Sequence, residues 1–183
     1  MGFRLLLAMS SAIFLIVFIY LDKIGLQKVT LYLYFYCVIA LNLPPYKYKL
    51  KSNENKTFIF DVIRKKYVVL TPEEWVRQHI LHFLIIQKGY PKSLISIEKQ
   101  VVVNKLIKRT DIVVYAKSGL PHIIVECKAP SVKISQNAFD QIARYNLKLN
   151  ADFLIVSNGL DHYFAQLDTQ NECFAFLQDI PKY

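Results

Sequence analysis

The stretch Ile123-Ile-Val-Glu-Cys-Lys128 closes an apolar run with a carboxylate and an amine two residues apart. In a strand, alternate side chains share a face, so Glu126 and Lys128 emerge together with Ile124. Ile123, Val125 and Cys127 point to the other side. Asp111 follows Arg109-Thr110 at the start of the preceding strand-like segment, and a hairpin through Ser118-Gly119 brings it near Glu126. Two carboxylates converging from adjacent strands make a hard oxygen site suited to Mg²⁺, with Mn²⁺ as a substitute. Such an ion polarises a phosphodiester and lowers the pKa of a bound water. Lys128 can orient or deprotonate that water, or offset charge on the transition state. The backbone carbonyl of Cys127 offers a further metal ligand. Alone, a Glu-x-Lys at a strand end is more often half of a cross-strand salt bridge. The Asp at hairpin distance, the Ala129-Pro130 stop and the helix beyond it make the metal site the better reading.

The elements that must hold these residues follow from the pattern. Asn42-Leu-Pro-Pro45 marks a boundary, and residues 46–70 read as an irregular or hairpin-like lead-in. Thr71 can cap a helix, Pro72 suits its first position and Glu74 completes a capping box. That helix should run to about Gln87 and stop before Gly89, with Val76, Ile80, Phe83 and Leu84 as its apolar stripe. Trp75 lies opposite the stripe and could pack on the lead-in. The period then changes to that of strands over 94–103, 111–116 and 122–128. Ser135 can cap a second helix to about Asn150, followed by strands over 153–157 and 162–167 with a turn at Asn158-Gly159. Helix, three strands, helix, two strands predict an α/β sandwich with a central mixed sheet flanked by helices, an αβββαβ core.

Along the second helix, Ala138, Ile142, Tyr145 and Leu149 form a buried stripe, with Gln141 and Tyr145 as neighbours four apart at its edge. On the first helix Glu73 and Glu74 are adjacent acids in different surroundings. Glu73 falls at the centre of the stripe, where a carboxylate is costly unless it meets a metal, proton or cation. Glu74 already has a structural task in the cap. Of the two, Glu73 is the acid left in need of a partner.

Residues 61–167 resemble the N-terminal nuclease domain of type I restriction enzyme motor subunits, in the PD-(D/E)xK superfamily. The matching pieces occur in family order: Thr71-Pro-Glu-Glu-Trp-Val-Arg-Gln78, Gly89-Tyr-Pro91, Arg109-Thr-Asp-Ile-Val113, Val125-Glu-Cys-Lys-Ala-Pro130 and Gln141-Ile-Ala-Arg-Tyr145. The resemblance implies a restriction-endonuclease-like fold and Mg²⁺-dependent DNA cleavage, with Asp111 and Glu126 binding metal and Lys128 catalytic. It also implies that Gln141 and Tyr145 serve the site and that a first-helix glutamate is the outer metal carboxylate, for which Glu73 is favoured over Glu74. DNA is the implied partner, with a separate motor or specificity subunit, in the cytoplasm. No Gly-x-x-x-x-Gly-Lys-Ser/Thr phosphate loop is present, so the chain resembles the stand-alone form. A non-catalytic nucleic-acid-binding or assembly module with the same fold is the alternative.

Composition agrees with a polyanionic partner: 23 Lys+Arg stand against 14 Asp+Glu, although an anionic membrane would fit the same excess. Residues 1–43 differ from 44–183, carrying only Arg4, Asp22, Lys23 and Lys28 as charges. The apolar run over residues 5–21 is marginal for a bilayer, which takes roughly 20 residues. It reads as a membrane anchor, a start-site extension or a core helix. Cys37, Cys127 and Cys173 form no CxxC pair and imply neither zinc nor a disulfide framework. His79, His82, His122 and His162 read as structural. Lys105, Lys108 and Arg109, like Arg64-Lys-Lys66, read first as solvated charge.

Overall fold

The structure, a computed structural model, describes residues 40–53, 56–103, 106–168 and 173–183. Leu41–Tyr183 form one compact unit. The apolar run 5–21 and residues 29–39 lie outside the described residues. Among the described residues no helix is long and apolar enough to cross a membrane.

The lead-in is a complete antiparallel meander of β1 (Leu50–Asn53), β2 (Lys56–Asp61) and β3 (Lys66–Val69). Leu50, Ile59 and Val68 are cross-strand partners on one face, and Ile59 is fully buried. This face meets α1 (Pro72–His82). Thr71 caps α1 as expected, its Oγ1 accepting from the Glu74 amide at 3.0 Å. Only half of the capping box forms, because the Glu74 carboxylate turns to two arginines instead. A π-helical turn, Phe83–Gln87, extends the helix to Gly89, whose φ of 79° ends it. Tyr48 meets Trp75 edge-on at 5.1 Å, the packing expected of the tryptophan.

The second sheet runs in sequence order: β4 (Ile95–Val103), β5 (Leu106–Tyr115), β6 (Pro121–Cys127), β7 (Phe153–Ser157), β8 (His162–Asp168) and β9 (Cys173–Leu177). Between β6 and β7 the chain crosses over through α2 (Gln136–Leu149), so this pair is parallel. All other neighbours are antiparallel, which makes the sheet mixed, as expected. β5 begins five residues earlier than the pattern suggested, so Asp111 sits within a strand rather than at its start. β9 was not anticipated. Ser135 holds the N-cap position of α2 but makes no side-chain cap.

Apolar layers cover both faces of this sheet. Val76, Ile80 and Leu84 pack with Ile112, Val114, Ile123, Val125 and Ile155 on one side. Ala138 and Ile142 pack with Ile124, Leu154 and Val156 on the other. The result is helix, sheet, helix. The C-terminal residues close the first layer, where Ile180 is buried. Buried Lys88 donates its ammonium to Asp179 and, at 2.9 Å, to the Ile180 carbonyl, while the Tyr183 amide donates to the Lys88 carbonyl at 2.9 Å.

Candidate functional site

The β5–β6 pairing runs to Ile112↔Val125, and Asp111 and Glu126 are the next residue on each strand, opposed if that register continues. Opposed residues of an antiparallel pair share a face. Asp111 Oδ2 accepts from the Cys127 amide at 2.5 Å, which ties the carboxylate to the neighbouring strand. On its other side the β4–β5 register is interrupted between Ile97↔Ile112 and Lys99↔Thr110, where Glu98 takes a left-handed φ of 52°. A glutamate rarely adopts that conformation, and surrounding contacts must hold it there.

Glu126 is only 4% exposed. Its Oε1 accepts from Lys128 Nζ at 2.6 Å and from Gln141 Nε2 at 2.6 Å. Gln141 Oε1 also accepts from Lys128 Nζ at 3.3 Å, and Gln141 Nε2 reaches Tyr145 Oη at 3.1 Å. The amide thus clamps acid and amine together from α2, and the pair spaced four apart does what its helical spacing permits. Burial, reinforced by the Asp111 charge, pushes the Glu126 pKa up to about 7. Burial works against the charge of Lys128, but the hydrogen bond and charge of Glu126 hold its pKa above the ordinary value.

The cation missed in the sequence is Arg77. Its Nη2 lies 2.7 Å from Asp111 Oδ1 and 3.0 Å from Glu73 Oε1, and its Nη1 lies 2.5 Å from Glu74 Oε2. Burial opposes this guanidinium charge, yet Asp111 and Glu74 raise its pKa above normal. Arg77 is four residues from Glu73 and three from Glu74, so helical neighbour rules alone could have flagged the contact.

The two competing glutamates separate. Glu74 is the buried one, its side chain 6% exposed against 45% for Glu73. The expectation that Glu73 lies at the centre of a buried stripe fails, because α1 is enclosed by the meander as well as by the large sheet. Glu74, Gln78 and His79 are buried along with Val76 and Ile80. Even so, Glu73 belongs electrostatically with the site. Burial and the Asp111 charge raise its pKa, while Arg77 and Lys128 oppose the shift.

Glu74 belongs instead to a network reaching the meander. Arg64 donates to Asp61 at 2.7 Å, Glu74 at 2.5 Å and Glu98 at 2.9 Å. Gln78 Nε2 donates to Asp61 and to Glu74, both at 2.8 Å. Burial would raise the Asp61 pKa, but the Arg64 amide, its guanidinium and Gln78 together lower it. Arg64 is therefore structural, unlike the exposed Lys65 and Lys66 beside it. Lys105 and the Lys108 side chain lie outside the described residues. The histidines have structural partners: His79 the Trp75 carbonyl and the edge-on Tyr46 ring, His82 the same Tyr46 ring stacked, His122 Asp152, and His162 Ser157.

Among the described residues no three His, Cys, Asp or Glu side chains stand close enough to cage an ion. Asp111 and Glu126 offer two carboxylates from adjacent strands, with Glu73 beyond. That donor set suits Mg²⁺, which keeps several waters and takes one or two protein carboxylates with substrate phosphate.

The chain belongs to the family described as type I restriction enzyme R protein N terminus, whose model matches residues 72–181. It is similar to the fragment structure of a putative HsdR subunit of a type I restriction enzyme from Vibrio vulnificus YJ016. Identity is 18% and the TM-score 0.47, over 62% of this chain and 24% of that chain. The chain thus spans about a quarter of the length of that solved relative. No curated protein matches it.

Proposed function

We propose that this chain is a Mg²⁺-dependent nuclease that hydrolyses phosphodiester bonds in DNA, built on a restriction-endonuclease-like PD-(D/E)xK core. The observation that carries the reading is the joint hydrogen bonding of Glu126, Lys128 and Gln141 beside Asp111. A structural salt bridge needs no second carboxylate across the strand and no helical amide gripping both partners. Membership of the restriction-subunit family supports the same chemistry.

Asp111 and Glu126 would hold the ion, with the Cys127 carbonyl as a further ligand and Glu73 as the outer carboxylate. When bound, the ion supplies Lewis-acid polarisation and a more acidic water. Lys128, kept protonated by Glu126, donates to the water or to the phosphoryl oxygens and offsets transition-state charge. Gln141 fixes the Lys128 amine, and Tyr145 fixes Gln141. Arg77 balances Asp111 and Glu73 from the other side. A motor or specificity subunit and a cytoplasmic location go with this reading.

The test is cleavage by the purified full chain of duplex, single-stranded and branched DNA, with Mg²⁺, with Mn²⁺ and with EDTA. Metal-dependent cutting that Lys128→Ala abolishes is expected. No cutting of any substrate would sink the proposal. One observation favours a second reading, a non-catalytic nucleic-acid-binding module: Asp111 and Glu126 each already have a cationic partner within the protein. DNA binding indifferent to Mg²⁺ and to Lys128→Ala, without cleavage, would select it.

A further inference from the structure

The face of the β1–β3 meander turned away from α1 has a composition the nuclease site does not explain. Register places Lys51 opposite Phe58, and Phe60 opposite Tyr67, on one side of the sheet. Lys56 shares that side by alternation with Phe58 and Phe60. Lys49 joins it, with its ammonium 5.9 Å from the centre of the Phe60 ring. Phe60 and Tyr67 meet edge-on at 5.3 Å. Lys49, Lys51 and Lys56 are exposed, and Tyr67 and Val69 keep 41% and 45% of their surface in solvent. Among the described residues none of these lysines has a carboxylate within ion-pair distance. Exposed Lys65 and Lys66 add charge at the β2–β3 turn.

Lysines on edge strands ordinarily prevent strand pairing. That task needs charge alone, and leaving Phe and Tyr rings open between the charges works against it. Rings interleaved with cations serve a ligand with both anions and flat apolar surfaces. An unpaired nucleic-acid strand is such a ligand: its phosphates meet the lysines and its bases stack on the rings. An anionic membrane would also meet the lysines, but interfacial binding favours apolar groups that insert into the acyl boundary. Phe58 and Phe60 are half-buried, so neither ring stands free to insert. The platform is also fixed to the helix that carries Glu73 and Arg77, since Asp61 on its inner face bonds Gln78.

We propose that this outer face of the meander, outside the matched residues 72–181, binds single-stranded nucleic acid. The proposal rests on the nuclease reading only in taking nucleic acid as the substrate. The measurement is fluorescence anisotropy of the full chain with labelled oligo-dT, with a duplex of equal length, and over a series of salt concentrations. EDTA is present throughout so that nothing is cut. The combined Lys49→Glu, Lys51→Glu, Lys56→Glu variant is expected to bind oligo-dT at least about tenfold more weakly. Its plot of log Kd against log salt should be shallower by about 2, at ~0.7 for each phosphate that is no longer neutralised. Tyr67→Ala should weaken binding on the order of tenfold with the salt slope unchanged. All of these residues are at the surface, and a thermal melt checks that each variant folds.

Wild-type affinity and slope in the triple variant would overturn the proposal. So would tighter binding of duplex that ignores Tyr67→Ala, or binding of phosphatidylserine vesicles in place of oligo-dT. The two proposals fail separately. A protein that never cuts DNA, yet loses oligo-dT binding in the triple variant, keeps this surface and loses the nuclease. A protein that cuts DNA while the triple variant binds normally keeps the nuclease and loses this surface.

Discussion

Arg77 Nη2 stands 2.7 Å from Asp111 Oδ1, joining the first helix to the strand carboxylate on which the proposed chemistry depends. The same guanidinium reaches Glu73 and Glu74, so one buried cation balances three acids. Replacing it with methionine removes the ion-pair partner of Asp111 and Glu73, while Glu74 keeps Arg64. Breaking a buried pair from one side costs about 3–5 kcal/mol. Urea denaturation of Arg77→Met should show a loss of that order in the metal-free protein. Added Mg²⁺ should restore part of it, because a bound cation stabilises the native state by mass action. A variant as stable as wild type without metal would contradict this account.

Glu73→Gln and Glu74→Gln should part company. Glu74 is buried between two guanidiniums and Gln78, and its neutralisation should cost about 2–4 kcal/mol through unpaired arginines. Glu73 is half-exposed, so its loss should leave stability within about 1 kcal/mol while weakening Mg²⁺ binding, read by calorimetric titration. Comparable destabilisation by both would show that Glu73 belongs to the same buried network.

Lys128→Ala should reduce single-turnover cleavage by about 10²–10⁴, the range for removing a positioned donor or proton-transfer group. Gln141→Ala should lower it less, and Gln141→Glu should fail to rescue it, since a carboxylate cannot donate to Glu126. Circular dichroism should remain that of the wild type in all three. Full activity in Lys128→Ala would place the chemistry elsewhere.

The Glu126 carboxyl titrates near pH 7 in the folded protein, against an ordinary value of 4.5. An acid whose folded pKa is raised binds its proton more tightly in the native state. Its contribution to stability is therefore fully present below the unfolded pKa and lost as pH rises through about 7. A gap of that size corresponds to at most about 3 kcal/mol. Metal-free protein should lose stability between pH 5 and pH 7 by this route, and Glu126→Gln should flatten the slope. Asp61 acts in the opposite sense: its lowered pKa removes stabilisation as pH falls through the acid range. Denaturant midpoints at both pH values, for wild type and variant, provide the measurement.

The large elements were legible because their causes are local. Thr71-Pro72 and Gly89 bound a helix through capping and φ, and alternation in 122–128 sets Glu126 and Lys128 on one face. Helical spacing put Gln141 and Tyr145 side by side, but only the family resemblance pointed them at the site. What escaped depends on enclosure from several directions. α1 is buried between two sheets, so a single apolar stripe could not rank Glu73 against Glu74. Arg64, beside two exposed lysines, reads as solvated charge until Asp61, Glu74 and Glu98 close around it. β9 is a five-residue strand lying beyond a clear turn-bounded pair. Arg77 was within reach of its helical neighbours but has no distinct sequence signature for its approach to Asp111.

The closure of the core by Ile180 and the grip of Lys88 on residues 179–183 bear on synthesis. A ribosome delivers the chain from the N-terminus, so α1 and the strands carrying Asp111 and Glu126 emerge well before residues 179–183. Until then the Lys88 ammonium lacks Asp179 and the Ile180 carbonyl, and the apolar layer beneath α1 stays open at one edge. Completion of the native state therefore waits on synthesis of residues 179–183, well after the segments that carry the carboxylates have been made.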